Sequence, residues 1–146
     1  AASSLDADAT RQLAQGLNDR DSGVRSWAAL GHLMRGPDAV APDRRALRER
    51  LADESASVRV IAAWALAAHG DADDLAPALA TLRELAPPDR NGPHVSLLAL
   101  NAIDALGPKA ASLRDTLSTM ARQDPASVPR VAEYVPRLLD HILRNP

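Results

Sequence analysis

The sequence predicts an all-α protein, a right-handed α-solenoid of about four antiparallel helix pairs, and three observations carry that expectation. Alanine and leucine together fill 51 of 146 positions, while aromatic residues number three, Trp27, Trp64 and Tyr134. That bias favours helices over strands, which prefer β-branched and aromatic side chains. A pattern then recurs: Leu17, Leu51 and Leu85 stand 34 residues apart, a spacing typical of helix-turn-helix arrays. Finally, Val24, Val58 and Val95 each precede a glycine by 12 residues, at Gly36, Gly70 and Gly107, with an alanine four residues after each valine.

Each unit reads as helix, polar turn, helix, glycine stop. The turns Asn18-Asp19-Arg20-Asp21-Ser22-Gly23 and Ala52-Asp53-Glu54-Ser55-Ala56-Ser57 supply side-chain oxygens for free N–H groups at a helix start. The glycines fall where a left-handed C-terminal cap needs no Cβ, and Pro37 and Pro108 block continuation. The expected helices are 6–18, 22–35, 43–52, 57–69, 73–85, 93–106, 109–122 and 128–144, in pairs over about 6–36, 43–70, 73–107 and 109–144. The third turn is three residues longer and carries Pro87, Pro88 and Pro93. The last pair holds Pro125, Pro129 and Pro136 and lacks a closing glycine, as the end unit of a solenoid departs from its repeat. In the second helix of the second unit Val58, Ile61, Ala62, Ala65 and Leu66 share one face, as Val95, Leu98, Ala99, Ala102 and Ile103 do in the third. Alanines on that face would allow close helix approach in a core poor in aromatics.

A valine-arginine pair opening the second helix, alanines four and five after the valine, an acid in the preceding turn and the closing glycine together resemble the HEAT repeat. The phycobilin-lyase-type HEAT-like repeats share this arrangement. The resemblance implies an armadillo-type superhelix and a ladder of hydrogen bonds between turn aspartate and helix arginine, mapped here onto Asp19 with Arg25 and Asp53 with Arg59. Ser96 and Leu100 depart from the pattern in the third unit, where the ladder is expected to stop or change. Two strings, Asp21 to Gly31 and Leu98 to Gly107, also look like the helical tail that follows the catalytic domain of some bacterial arylsulfatase-type enzymes. That likeness implies a fragment of a longer chain, consistent with a start on Ala1-Ala2-Ser3-Ser4. It does not imply sulfatase activity, because the catalytic signature (Cys or Ser, any residue, Pro, any residue, Arg) does not occur.

Candidate chemistry is sparse. There is no cysteine, so disulfides, thiolate nucleophiles and thiolate metal sites are excluded. His32, His69, His94 and His141 show no metal-binding spacing; His69 is expected to act on a helix C-terminal dipole and His32 to sit in the core. The run Asp71-Ala72-Asp73-Asp74 precedes a helix and is read as serving its free N–H groups rather than a metal. Arg44, Arg45, Arg48 and Arg50 are interspersed with acids and read as a solvated face rather than a nucleic-acid site; net charge is −2 overall. The longest apolar run, Val60 to Ala68, is nine residues, too short to span a membrane.

No cofactor or metal is expected, and no paired carboxylate with a matched histidine supports catalysis. The expected partner is a protein, with a catalytic domain of the same chain as one form of it. Trp64 lies off the inward stripe and shares an outward strip with Val60, bordered by Arg25 and Arg59, and Trp and Arg are enriched at binding hot spots. Arg25, Arg59, Val60 and Trp64 are therefore the candidate partner-binding set, against the alternative that Trp64 packs on the first helices. The function expected is a non-catalytic interaction or scaffolding module appended C-terminally to a sulfatase-type hydrolase domain. A HEAT-like enzyme, a bilin lyase or a DNA-repair glycosylase, is the alternative.

Overall fold

Capping residues and short turns divide the chain into helices, and the computed structural model describes residues 2–145, with side chains from residue 8 onward. Among the described residues there is no strand. The chain forms two compact units, 1–78 and 79–146.

The first unit contains α1 (Ala2–Gly16), α2 (Ser22–Arg35), α3 (Pro37–Arg50), α4 (Ala56–His69) and the start of α5 (Ala72–Leu85). Asp21 starts α2: its carboxylate accepts from the N–H groups of Gly23 at 2.6 Å and Val24 at 3.4 Å. Gly36 ends α2 with a left-handed φ of 83° and donates to the His32 carbonyl. Its own carbonyl accepts from Ala39 and Val40, so the same residue opens α3.

The start of α3 corrects an expectation. Pro37 occupies the first helical position, where its missing N–H costs nothing, and the helix begins there rather than at Asp43. Pro42 lies within it, and burial of Ala39, Val40 and Leu47 offsets the one intrahelical bond a proline removes. Pro77 holds the same sixth position in α5.

Gly70 also departs from the expected role. Its φ is −77°, which any residue adopts. A side chain is excluded by space instead, because a Cβ would lie 2.5 Å from the Leu66 carbonyl oxygen and 2.5 Å from a carboxylate oxygen of Asp74.

α4 packs on both α2 and α3. Its sequence is apolar nearly all round, and Val58, Val60, Ala62, Ala63 and Ala65 are all fully buried. A helix enclosed on several sides hides more than a single stripe.

In the second unit α6 (Pro88–Leu106) breaks at Gly92, φ 75°, so one turn precedes a longer helix that starts at Pro93. The expected helix 109–122 is a 3-10 helix, Gly107–Leu113, followed by α7 (Arg114–Thr119), and the expected 128–144 is α8 (Pro129–Ala132) and α9 (Tyr134–Arg144). α9 buries Val135, Leu139 and Ile142, spaced four and three apart, and packs on α6 and α7. Ala99, Ile103, Leu113 and Leu117 complete this core.

Candidate interaction surface

The position after each repeat valine donates to the turn that precedes it. Arg25 Nη1 donates to the carbonyls of Asp19 at 2.9 Å and Arg20 at 3.0 Å. Arg59 Nε donates to the Leu51 carbonyl at 3.0 Å, and Ser96 Oγ to the Ala86 carbonyl at 2.5 Å. Ser96 is fully buried, so the third unit keeps this bond with a neutral side chain in place of arginine.

Arg25 also reaches forward by one repeat. Its Nε and Nη2 grip the Asp53 carboxylate at 2.8 and 2.9 Å, and Nη2 meets Glu54 at 3.2 Å. The first rung of the ladder therefore joins Arg25 to the next turn's aspartate rather than to the carboxylate of Asp19, which accepts from the Asp21 N–H in its own turn. Burial pushes the Asp53 carboxyl up. Hydrogen bonds from Arg25 and the Ser55 N–H, with the charges of Arg25 and Arg50, outweigh that and hold it below the ordinary carboxylate range. The hydrogen bond to Asp53 in turn holds the Arg25 guanidinium above the usual arginine value.

Other polar groups fasten the opposite ends of these helices. His32 is fully buried on α2; its Nδ1–H donates to the Ala28 carbonyl at 2.8 Å and its Nε2 stands 2.9 Å from the Asp43 carboxylate on α3. His69 lies in the last turn of α4, the position expected for a helix dipole, and its Nε2–H also donates to the Leu33 carbonyl near the end of α2, at 3.1 Å. In the acidic run, Asp74 is fully buried and its carboxylate accepts from the Asp71 N–H at 2.8 Å, one half of a capping box. Arg48 pairs with the same carboxylate, which raises the guanidinium above its usual value, and Arg44 pairs with Asp71. The arginine cluster is thus a set of ion pairs, completed by Arg45 with Glu49 and Arg50 with Asp53. Arg45, 93% exposed, and Arg48, also exposed, fit a solvated face, whereas Arg44 and Arg50 are half-buried.

The expected outward strip is not outward. Val60 is buried completely, Arg25 is 5% exposed with its donors engaged, and Arg59 and Trp64 are half-buried. Enclosure of α4 by α2 and α3 accounts for this, and the unbroken apolar run from Val60 to Ala68 is the signal that points to it. Large apolar side chains are exposed elsewhere: Val24, Trp27 and Met34 on α2, at 42, 73 and 79%, and Val128 and Tyr134 in the second unit. The three on α2 border, with Arg35, a trough of about 480 Å³ whose lining includes Leu13, Gly16 and Gly31.

In the second unit a cleft of about 70 Å³ is lined by Ile103, Ala110 and Ile142. Its charged members are engaged, Arg114 with the Leu143 carbonyl and Asp104 with His141 at 3.6 Å. Among the described residues no group of three or more histidines, cysteines or carboxylates is placed to hold a metal ion, and no helix is long and apolar enough to cross a membrane.

No family model, curated protein or solved structure matches the chain.

Proposed function

We propose that this chain is a non-catalytic protein-interaction module, a right-handed solenoid of antiparallel HEAT-like helix pairs that serves as a scaffold and packs against a sulfatase-type hydrolase domain of the same parent protein. One observation carries the repeat reading. Arg25, near the start of α2, binds Asp53 just before the start of α4, and His69, at the end of α4, binds the Leu33 carbonyl near the end of α2. Start tied to start and end tied to end, the two second helices run side by side in the same direction, displaced by one repeat. Stacked repeats make this translation.

The interaction role rests on how the polar side chains are used. Arg25, His32, Arg48 and Asp74 fasten helices or turns to one another, whereas α2 exposes the apolar side chains of Val24, Trp27 and Met34, with Arg35 at its end. Such surfaces mark association sites more than catalytic ones. The test is to read the gene upstream of Ala1 and titrate the domain it encodes into the chain by calorimetry. A sulfatase-type domain that binds supports the proposal; an unrelated domain, or no heat of binding, overturns it.

A further inference from the structure

His32 stands where the other repeats keep the core apolar. It lies eight residues after its repeat valine, and the same place is Leu66 in α4 and Ile103 in α6, exposed by 1% and 2%. Packing alone would be served by leucine. The imidazole is fully buried, and a buried polar group costs free energy unless its hydrogen-bonding atoms find partners. Both ring nitrogens have one. Nδ1 is 2.8 Å from the Ala28 carbonyl, one turn back on α2, and Nε2 is 2.9 Å from Oδ2 of Asp43 on α3, whose side chain is 19% exposed.

These two neighbours decide the proton count. A carbonyl oxygen only accepts, so Nδ1 carries a hydrogen. An ionised carboxylate also only accepts, and a bare Nε2 would set its lone pair against it at 2.9 Å. The contact therefore needs one proton between Nε2 and Oδ2, on either atom, besides the one on Nδ1. A neutral imidazole beside an ionised carboxylate is one proton short.

We infer that His32 and Asp43 form a proton-gated latch that holds α3 on α2, closed while the shared proton is bound and opened when it leaves. The folded pair holds this proton in preference to the separated groups, so the latch adds stability on the acid side and loses it as pH rises. The helix is weakest at that point. Pro42, the residue before Asp43, has no N–H to give the Asp38 carbonyl, so α3 lacks a bond where the latch attaches. Opening frees the first turns of α3, which bury Ala39 and Val40.

Among the described residues the other charged groups on the packed helices have other partners or lie exposed. On α1 Arg11 pairs with Asp8, and on α2 Arg25 is held by Asp53 while Arg35 is exposed. On α3 Arg44 and Arg48 pair with Asp71 and Asp74, Arg45 with Glu49 and Arg50 with Asp53, and Asp38 is exposed. On α4 His69 is bound to the Leu33 carbonyl and Arg59 to the Leu51 carbonyl. None of these contacts involves the imidazole, so their effects cancel when latch variants are compared. The latch does not depend on the HEAT-like or sulfatase reading.

Urea denaturation of the wild-type chain, His32→Leu and Asp43→Asn from about pH 5.5 to about pH 8.5, the interval in which histidine switches operate, tests the inference. His32→Leu repeats the residue type of α4 and removes the shared proton. Wild type should lose roughly 0.5 to 1 M in urea midpoint relative to His32→Leu as pH rises across that interval, about a tenfold change in the folding equilibrium for a chain of this size. The side chain of Asp43→Asn donates its own N–H to Nε2 and needs no shared proton, so the midpoint difference between Asp43→Asn and His32→Leu should not change with pH. Nuclear magnetic resonance reads the proton directly: Nε2 of His32 and the Asp43 carboxyl carbon should shift together over the interval in which the wild-type midpoint falls. A difference between wild type and His32→Leu that is independent of pH, the same pH dependence in Asp43→Asn as in wild type, or an Nε2 that keeps one state throughout overturns the latch.

Discussion

Gly36 and Gly70 close successive repeats, yet the same substitution should fail in them for different reasons. At Gly70 a methyl group meets a carboxylate oxygen of Asp74 and the Leu66 carbonyl, each at 2.5 Å. Ordinary contact at 3.4 Å requires the Asp74 carboxylate to withdraw by about 0.9 Å. Such a shift carries the 2.8 Å bond to the Asp71 N–H beyond useful length and disturbs the pair with Arg48. Overpacking of this kind costs about 1 to 3 kcal/mol. At Gly36 nothing lies within 4 Å of an added Cβ, and the penalty there is the backbone alone, whose φ of 83° with ψ of −160° is a region nearly confined to glycine, at roughly 1 to 3 kcal/mol.

Urea denaturation separates the two. Gly70→Ala should cost measurably less in an Asp74→Ala background than in the wild-type chain, because the carboxylate oxygen at 2.5 Å is gone while the Leu66 carbonyl at 2.5 Å and the Cβ of residue 74 at 2.8 Å remain. Gly36→Ala should cost the same in both backgrounds. Equal costs for Gly70→Ala with and without Asp74 would refute the steric account.

Three further outcomes are expected. Asp53 has its carboxyl below the ordinary 3.8 in the folded chain, so the stability it contributes is complete above that value and is lost as pH falls through the lower, folded one. The gap in urea midpoint between wild type and Asp53→Asn should therefore be widest at neutral pH and close in acid; a gap independent of pH contradicts the charge-based account. Ser96→Ala leaves the buried Ala86 carbonyl without its donor and should cost about 1 to 3 kcal/mol, a thermal-melting measurement in which no change would sink the assignment. Ala62→Leu, at a fully buried position on α4, should destabilise by about 1 to 3 kcal/mol; an unchanged urea midpoint would contradict close packing there.

Local chemistry was the legible part of the sequence. Asp21, Gly36 and the recurring leucines located α2 to within a residue, because a cap and a positive φ are properties of adjacent residues. The start of α3 at Pro37 was not legible, since whether a helix continues through Pro42 depends on what Val40 and Leu47 bury against, which no local pattern states. The burial of Val60 was illegible for the same reason. Val60 and Trp64 were assigned to one strip by helical spacing, and spacing gives relative angle but not how many neighbours surround a helix. Asp74 looked like a helix-start carboxylate and is one, but its pairing with Arg48, 26 residues away, is a tertiary fact. The exposure of Trp27 could have been suspected only by asking why a repeat built on alanine places tryptophan and methionine around a glycine.

Alanine-rich helix faces are smooth, and two smooth rods can slide. A displacement of α2 along α4 by one turn, about 5.4 Å, would find nearly equivalent methyl groups to rest on. Arg25 with Asp53 at one end and His69 with the Leu33 carbonyl at the other act as dowels, and no single shift satisfies both except the native one. The apolar middle supplies cohesion while the polar ends supply register, so a chain that lost its end bonds should stay helical and collapsed yet sample several alignments.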